Sequence, residues 1–286
     1  MAHLATARRR SPAGSVDSVV AAQPGLPARP RRIDAERWLA ATIAAALLLL
    51  WELLSQFGVL SRMFMPAPST IARTLVREFS SGLLLAHLGA TFLRIVPGLL
   101  LGALPGLLLG LMMGWSGRLR RIVDPFVAAT HPMPKVALLP LLMILFGIGE
   151  APKIIVIAVA SFFPMLLNAM AGVRQISPVH FEVARNYGAG TLQMLRRVVL
   201  PGSLPMVLTG LRLTANVALA LTIAVEIAAA QTGLGSLVWL SWQVLRVELL
   251  YATIVVTALF GLSMNVLLGW LARRFVPWLP DRQPLL

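Results

Sequence analysis

The chain has 286 residues, of which 58% are apolar and 13% are charged, with a formal net charge of +14 and no cysteine. This balance is outside that of a soluble domain and is typical of a membrane protein. The lack of cysteine excludes disulfides, thiolate metal sites and a thiol nucleophile. The positive charge comes from arginines scattered between apolar runs, which indicates membrane topology and no nucleic-acid partner.

The N-terminal segment 1–36 combines arginines with Pro, Ala, Gly and Ser, and it has too little apolar surface to offset the entropy of ordering. We predict a disordered cytoplasmic tail, and no cleavable signal, because the apolar run begins only near Trp38. A first transmembrane helix is predicted over 37–57. An outer loop is predicted over 58–86, with an interfacial helix capped by Ser69 or Thr70.

Six apolar segments are each close to the ~20 residues that a helix needs to cross about 30 Å of hydrocarbon. The third contains four prolines and Lys135, so it is either one span or a surface helix followed by a short, tilted span. The sequence therefore predicts an all-α membrane protein of about six transmembrane helices, with a core over 87–274 and a cytoplasmic C-terminal tail over 275–286. The six segments cover approximately 38–57, 92–115, 123–146, 154–173, 206–230 and 249–272.

Basic residues set the orientation of the predicted spans. With a cytoplasmic N-terminus, the inside segments hold about three times as many basic residues as the outside loops. Both termini and the loop around Glu182 are therefore predicted to be cytoplasmic. The basic residues of the predicted outer loops are Arg62, Arg73, Arg77, Lys153 and Arg246.

The second span carries one glycine every four residues, at positions 98, 102, 106, 110 and 114. Such a ridge lets another helix approach closely, and close packing replaces the hydrophobic drive between helices in lipid. We interpret the ridge as a packing surface rather than a glycine-lined solute path.

Polar residues at membrane depth are costly in lipid and usually face a cavity or a partner helix. The alternative for Arg94 and Arg212 is that they snorkel from span ends, and the asparagines can simply bond neighbouring helices. We predict Lys135, Glu226, Asn168 and Asn216 as candidates for the solute pathway. The full set at membrane depth is Arg94, His131, Lys135, Asn168, Asn216, Glu226 and Asn265.

A polar stretch at 177–205 lies between two strongly apolar segments. Ser177 followed by Pro178 is a good helix start, because serine can accept from orphan N–H groups and proline suits the first turn. Gly188 is predicted to end this first helix, and Thr191 to cap a second one. The second helix is predicted to stop before Pro201, which lacks an N–H and disfavours helical geometry in the preceding residue.

Periodicity alone favours a membrane-surface amphipathic hairpin as much as a docking element, because each helix sets an apolar face opposite arginines. The spacing is more specific. It resembles the cytoplasmic "EAA" loop (Glu-Ala-Ala, three residues, Gly, nine residues, Ile-x-Leu-Pro) of ATP-binding-cassette importer permeases. Valines replace the first alanine and the isoleucine of that pattern, at 183 and 198. The matching residues are Glu182, Ala184, Gly188, Val198, Leu200 and Pro201.

The resemblance extends over roughly 65–274, where several segments look like the permeases that import nitrate, taurine, aliphatic sulfonates and related small solutes. It implies a permease of the bacterial inner membrane that forms a homodimer, docks two ATPase subunits on the 177–205 loop and receives solute from a binding protein. In this resemblance Glu182, Ala184, Gly188, Leu200 and Pro201 form the coupling loop. The alternative is a secondary transporter without an ATPase, although no internal repeat is visible.

The residues offer no catalytic centre. Lys135 and Lys153 both follow proline, so no Gly-Lys-Ser/Thr phosphate cradle can form and this chain cannot be the ATPase. The four histidines are isolated, and no Gly-x-Ser-x-Gly elbow occurs. We therefore expect no enzymatic activity and no bound cofactor or metal in this chain, with ATP and Mg on the partner subunit.

Overall fold

A computed structural model describes residues 32–276, and over this range it contains helices and no strand. The predicted tails over 1–36 and 275–286 fall almost entirely outside the described residues. The chain divides into two units after Leu50. The first contributes the beginning of α1, Arg32–Gln56, and the second contains everything from Trp51 onward.

Five helices are long and apolar enough to cross a membrane, or six if one bent pair forms a single span. The remaining elements are shorter helices between them. In chain order they are α1 (Arg32–Gln56), α2 (Pro68–Ser80), α3 (Leu83–Trp115), α4 (Gly117–Thr130), a 3-10 turn (Lys135–Leu138), α5 (Leu139–Phe146), α6 (Glu150–Arg174), α7 (Pro178–Asn186), α8 (Thr191–Met194), a π-helical turn (Leu195–Val199), α9 (Leu200–Ala229), α10 (Leu234–Gln243) and α11 (Val247–Phe275).

The bent pair is the predicted third span. Its two parts, Gly117–Thr130 and Lys135–Phe146, meet at 85°. Pro132 and Pro134 lie in the break, where neither can donate a helical hydrogen bond. The division into two helices matches the second of the two sequence interpretations. The first of these helices also begins six residues earlier than predicted, after Ser116, whose side chain caps it.

The glycine ridge of α3 is confirmed as a helix-packing surface. At all five ridge glycines a Cβ atom would come within 2.6 Å of an atom of α6, and at Gly102 it would lie 2.0 Å from the carbonyl oxygen of Ala158. A side chain at those positions would therefore push the two helices apart. Because α6 also packs against α9, the three helices form a layer with α6 in the middle, and the glycine ridge sets the spacing between α3 and α6.

The start of α2 differs from the prediction. Its N-cap is Ala67, which makes no side-chain cap, and neither Ser69 nor Thr70 occupies that position. Instead the N–H and hydroxyl of Ser69 donate to the Glu52 carboxylate at 2.9 and 2.7 Å. The carboxylate at the end of α1 thus supplies the acceptor that a capping side chain would have provided.

Candidate functional site

The first helix of the 177–205 hairpin forms as predicted, with Pro178 as its first residue. Ser177 occupies the N-cap position, but its side chain makes no capping hydrogen bond. After α7, Gly188 adopts φ +73°, and the N–H of Ala189 donates to the Ala184 carbonyl at 2.9 Å. Left-handed glycine closing a helix in this way is the usual C-terminal stop, so the predicted turn is confirmed.

The second part of the hairpin departs from the prediction in two ways. Gly190, not Thr191, is the N-cap of α8. The helix also does not stop before Pro201: a continuous helical segment runs from Thr191 to Ala229. The reason is the π-helical turn at Leu195–Val199, where the Leu200 N–H donates to the Leu195 carbonyl. That wider turn relieves the clash of proline with the preceding carbonyls, so Pro201 continues the helix.

The hairpin is anchored on one side and open on the other. Phe181, Leu195 and Val199 pack on the core cluster formed by α3, α6 and α9. By contrast α7 has no buried residue; its Val183 is 48% exposed, and Tyr187, which follows its last residue, is 89% exposed. Exposed apolar side chains on a short helix indicate a contact surface for a partner or a membrane.

Two recesses flank α7 and contain three of the predicted coupling residues. Glu182 lines a recess of about 340 Å³, together with Phe181 and Arg185. Ala184 and Pro201 line a more apolar groove of about 830 Å³ on the other side of the helix. Gly188 and Leu200 lie outside both recesses and are exposed. Three of the five predicted residues thus line recesses beside α7, and the role of all five in docking stays a prediction.

The four predicted pathway residues do not come together. The Lys135 ammonium bonds to the His131 carbonyl and lies 4.7 Å from the centre of the Phe163 ring. Asn168 donates to the Pro164 carbonyl within its own helix at 2.8 Å. Neither lies in the cavity that Asn216 lines.

Asn216 is the predicted pathway residue with the most open surroundings. Its side-chain oxygen accepts from Asn265 Nδ2 at 2.8 Å, which joins α9 to α11. Both asparagines line a cavity of about 640 Å³ between these helices. A solute contact at Asn216 stays a prediction.

Glu226 lies in a different place, in a buried network around Arg94. The guanidinium of Arg94 donates from Nη1 to Glu226 Oε1 at 2.8 Å and from Nη2 to Glu150 Oε1 at 3.0 Å. It also donates to the carbonyl and hydroxyl of Thr232. Its side chain is 4% exposed, which excludes the alternative interpretation that Arg94 snorkels from a span end.

The carboxylate of Glu226 is fully buried and fully bonded. Besides Arg94, it accepts from the Thr91 hydroxyl at 3.0 Å and from the Gly235 N–H at 2.9 Å. Gly233, at φ +115°, lies so close that a Cβ atom there would be 2.3 Å from this carboxylate. Its paired partner and these two further donors offset the cost of burying the charge. In this conformation Glu226 fastens α9 to α3 and to the start of α10, and its side chain is not exposed to solvent.

Sequence reasoning missed Arg94 and Glu150 as partners of Glu226. Arg94 and Glu226 are 132 positions apart, and Arg94 and Glu150 are 56 apart. The only available signal in the sequence was the presence of opposite charges inside apolar runs. Such charges indicate that buried ion pairs form, but they do not show which residues pair with each other.

Five or six long apolar helices, with an exposed short helix between two of them, define a multi-pass membrane protein. The family model for "Binding-protein-dependent transport system inner membrane component" matches residues 106–279. The chain belongs to this family, and it is a multi-pass inner-membrane permease of an ABC importer rather than a secondary transporter.

Similar proteins agree with this assignment. The chain is 36% identical to the taurine transport system permease protein TauC of Escherichia coli (strain K12), over 82% of this chain and 87% of that protein. It is 31% identical to the putative aliphatic sulfonates transport permease protein SsuC of Bacillus subtilis (strain 168), over 82% and 86%. A solved inward-facing structure of the MetNI methionine ABC transporter matches with a TM-score of 0.59 at 18% identity, over 65% of this chain and 92% of that one. The last comparison shows the fold.

Proposed function

We propose that this permease carries taurine or a related aliphatic sulfonate across the membrane. The observation that supports the proposal most is the 36% identity to a taurine permease, over 82% of this chain and 87% of that protein. Identity of 31% to two aliphatic sulfonate permeases points to the same class of solute. A short organic chain ending in a sulfonate is the chemistry that these relatives share by name.

The transporter would contain two copies of this chain, two ATPase subunits and a solute-binding protein. The ATPase would dock on the 177–205 hairpin, at the recesses lined by Glu182, Ala184 and Pro201. ATP and Mg would be bound by that partner, and this chain would hold no cofactor. The arginine bias supports a cytoplasmic position for this hairpin and for both termini.

The hairpin is suited to transmit motion because its two faces differ. Its inner face is packed on α3, α6 and α9 through Phe181 of α7 and through Val199, whereas the opposite face of α7, which carries the exposed Val183, is open to a partner. A displacement of α7 by the ATPase would therefore reach the spans through rigid contacts and through the continuous helix that leads into α9.

Uptake by the reconstituted transporter tests the solute assignment. We expect ATP-dependent entry of labelled taurine into proteoliposomes that contain the permease, its ATPase and its binding protein. Excess ethanesulfonate should compete, because it presents the same charged group on a chain of the same length. Nitrate supplies the matched control, since it is an anion without the organic chain. Competition by nitrate, with none by ethanesulfonate, would overturn the sulfonate assignment.

A further inference from the structure

One face of α9 carries polar side chains in the middle of a long apolar helix. Thr209, Arg212 and Asn216 follow one another at intervals of three and four residues, which places them on the same side of the helix. The cavity between α9 and α11 opens on this side, and Asn216, Thr257 and Asn265 line it. A polar face of this kind is costly against lipid and indicates a water-filled recess.

Arg212 is the charged residue of this face. It is 12 residues after Leu200, or about 18 Å along the helix at 1.5 Å per residue. Its Nε atom is buried and has no hydrogen-bond partner, and Arg212 takes part in no ion pair within the described part of the chain. An arginine within a span is normally paired, as Arg94 is with Glu226.

No carboxylate of the described helices forms an ion pair with Arg212. Glu226 and Glu150 are bound to Arg94, and Glu52 is bound to Ser69. Asp124 pairs with Arg120, and Glu248, at the start of α11, lines a separate recess beside Ser69. The described residues therefore supply no negative charge to Arg212. The positively charged guanidinium of Arg212 is therefore suited to bind an anion from outside this chain.

We propose that Arg212 recognises the sulfonate group of the transported solute at an anion site on this face of α9. This inference rests on the proposed function and names the group that would bind the solute. The planar guanidinium can donate two parallel hydrogen bonds to an oxyanion. The amide group of Asn216, one helical turn further along the same face, can donate a third. The cavity beside it accommodates the short organic part of the solute.

Charge-selective labelling tests this site without a transport assay. The chain contains no cysteine, so Asn216→Cys introduces its only thiol. In the full complex in lipid vesicles, the thiol is treated with the anionic 2-sulfonatoethyl methanethiosulfonate or with the cationic 2-(trimethylammonium)ethyl reagent. The mass of the permease subunit reports modification, and the same subunit denatured in detergent gives the reference ratio of the two rates.

We expect the sulfonate reagent to be favoured about tenfold or more over the reference ratio, because a positive charge one turn away attracts the anion and repels the cation. Arg212→Gln in the same background should remove this preference, and Arg212→Lys should keep it. The proposal would be overturned if the Asn216→Cys protein that keeps Arg212 reacted with neither reagent, or reacted with the two at the reference ratio. This protein decides the test by itself, so a Gln variant that fails to assemble does not prevent a decision.

Two further measurements show whether the bound anion is a lipid phosphate or the solute. They also distinguish failure of the anion site from failure of the solute assignment. A preference that disappears when anionic lipids are added to the vesicles would show that Arg212 binds a lipid phosphate, and it would overturn the solute site. A preference that persists, and slower labelling when taurine is present with ATP and the binding protein, would support it. If taurine uptake fails while the charge preference remains, the solute assignment falls and the anion site stands.

Discussion

Gly188→Val is expected to abolish solute uptake while the chain still inserts into the membrane. Gly188 closes α7 at φ +73°, where a side chain costs about 1 kcal/mol or more and a β-branched one costs most. No atom lies within 4 Å of the position of an added Cβ, so the effect comes from backbone conformation rather than crowding. The altered turn would misdirect α7 and its docking surface. ATP-driven uptake and membrane content are the two measurements.

Gly190→Val is the matched control for this experiment. Gly190 lies in the same hairpin and also has no neighbour within 4 Å, but its φ is −71°, which valine adopts readily. We expect this variant to retain uptake. Glu182→Ala should act more mildly than Gly188→Val, because it removes one polar contact. Full uptake by the Gly188→Val protein would contradict the coupling role of the hairpin.

Arg94→Met is expected to destabilise the folded permease by about 3–5 kcal/mol, the usual cost of leaving one charge of a buried pair without its partner. Glu226 would remain fully buried, and the bonds that Arg94 makes to Glu150 and Thr232 would also be lost. The measurement is thermal or denaturant unfolding of the purified protein in detergent.

The double variant Arg94→Met/Glu226→Gln separates charge pairing from a general loss of packing. Removing both charges leaves no unpaired ion, so the double variant should be more stable than Arg94→Met alone. Glu150→Gln is the control within the same network and should cost much less, because the Glu150 side chain is 55% exposed. Strictly additive losses in the double variant would contradict the ion-pair explanation.

The sequence predicted most of the fold because membrane helices are specified by local composition. The long apolar segments and the glycine ridge could be read directly, since span length and close helix packing follow from consecutive residues and four-residue spacing. The turn at Gly188 was predictable for the same reason, because one residue with positive φ ends the helix.

The features that were missed depend on tertiary context. Pro201 continues a helix because a π-helical turn precedes it, and a single sequence gives no signal for that turn. The short helix α10, which was not predicted, packs against α9 and α11 and is defined by those contacts rather than by its own ten residues. The pairing of Arg94 with Glu226 also required the folded structure, because many charge pairings were compatible with the sequence.

Photo-cross-linking tests most directly whether the 177–205 hairpin docks the ATPase. Tyr187→p-benzoylphenylalanine replaces one exposed aromatic residue by another at the C-terminal end of α7, where the tyrosine is 89% exposed. Trp242→p-benzoylphenylalanine, on α10 and also exposed, is the control on the side predicted to face away from the cytoplasm. We predict that irradiation of the assembled complex joins position 187, and not position 242, to the ATPase subunit. An ATPase adduct at 242, or none at 187 in a complex that still hydrolyses ATP, would contradict this assignment.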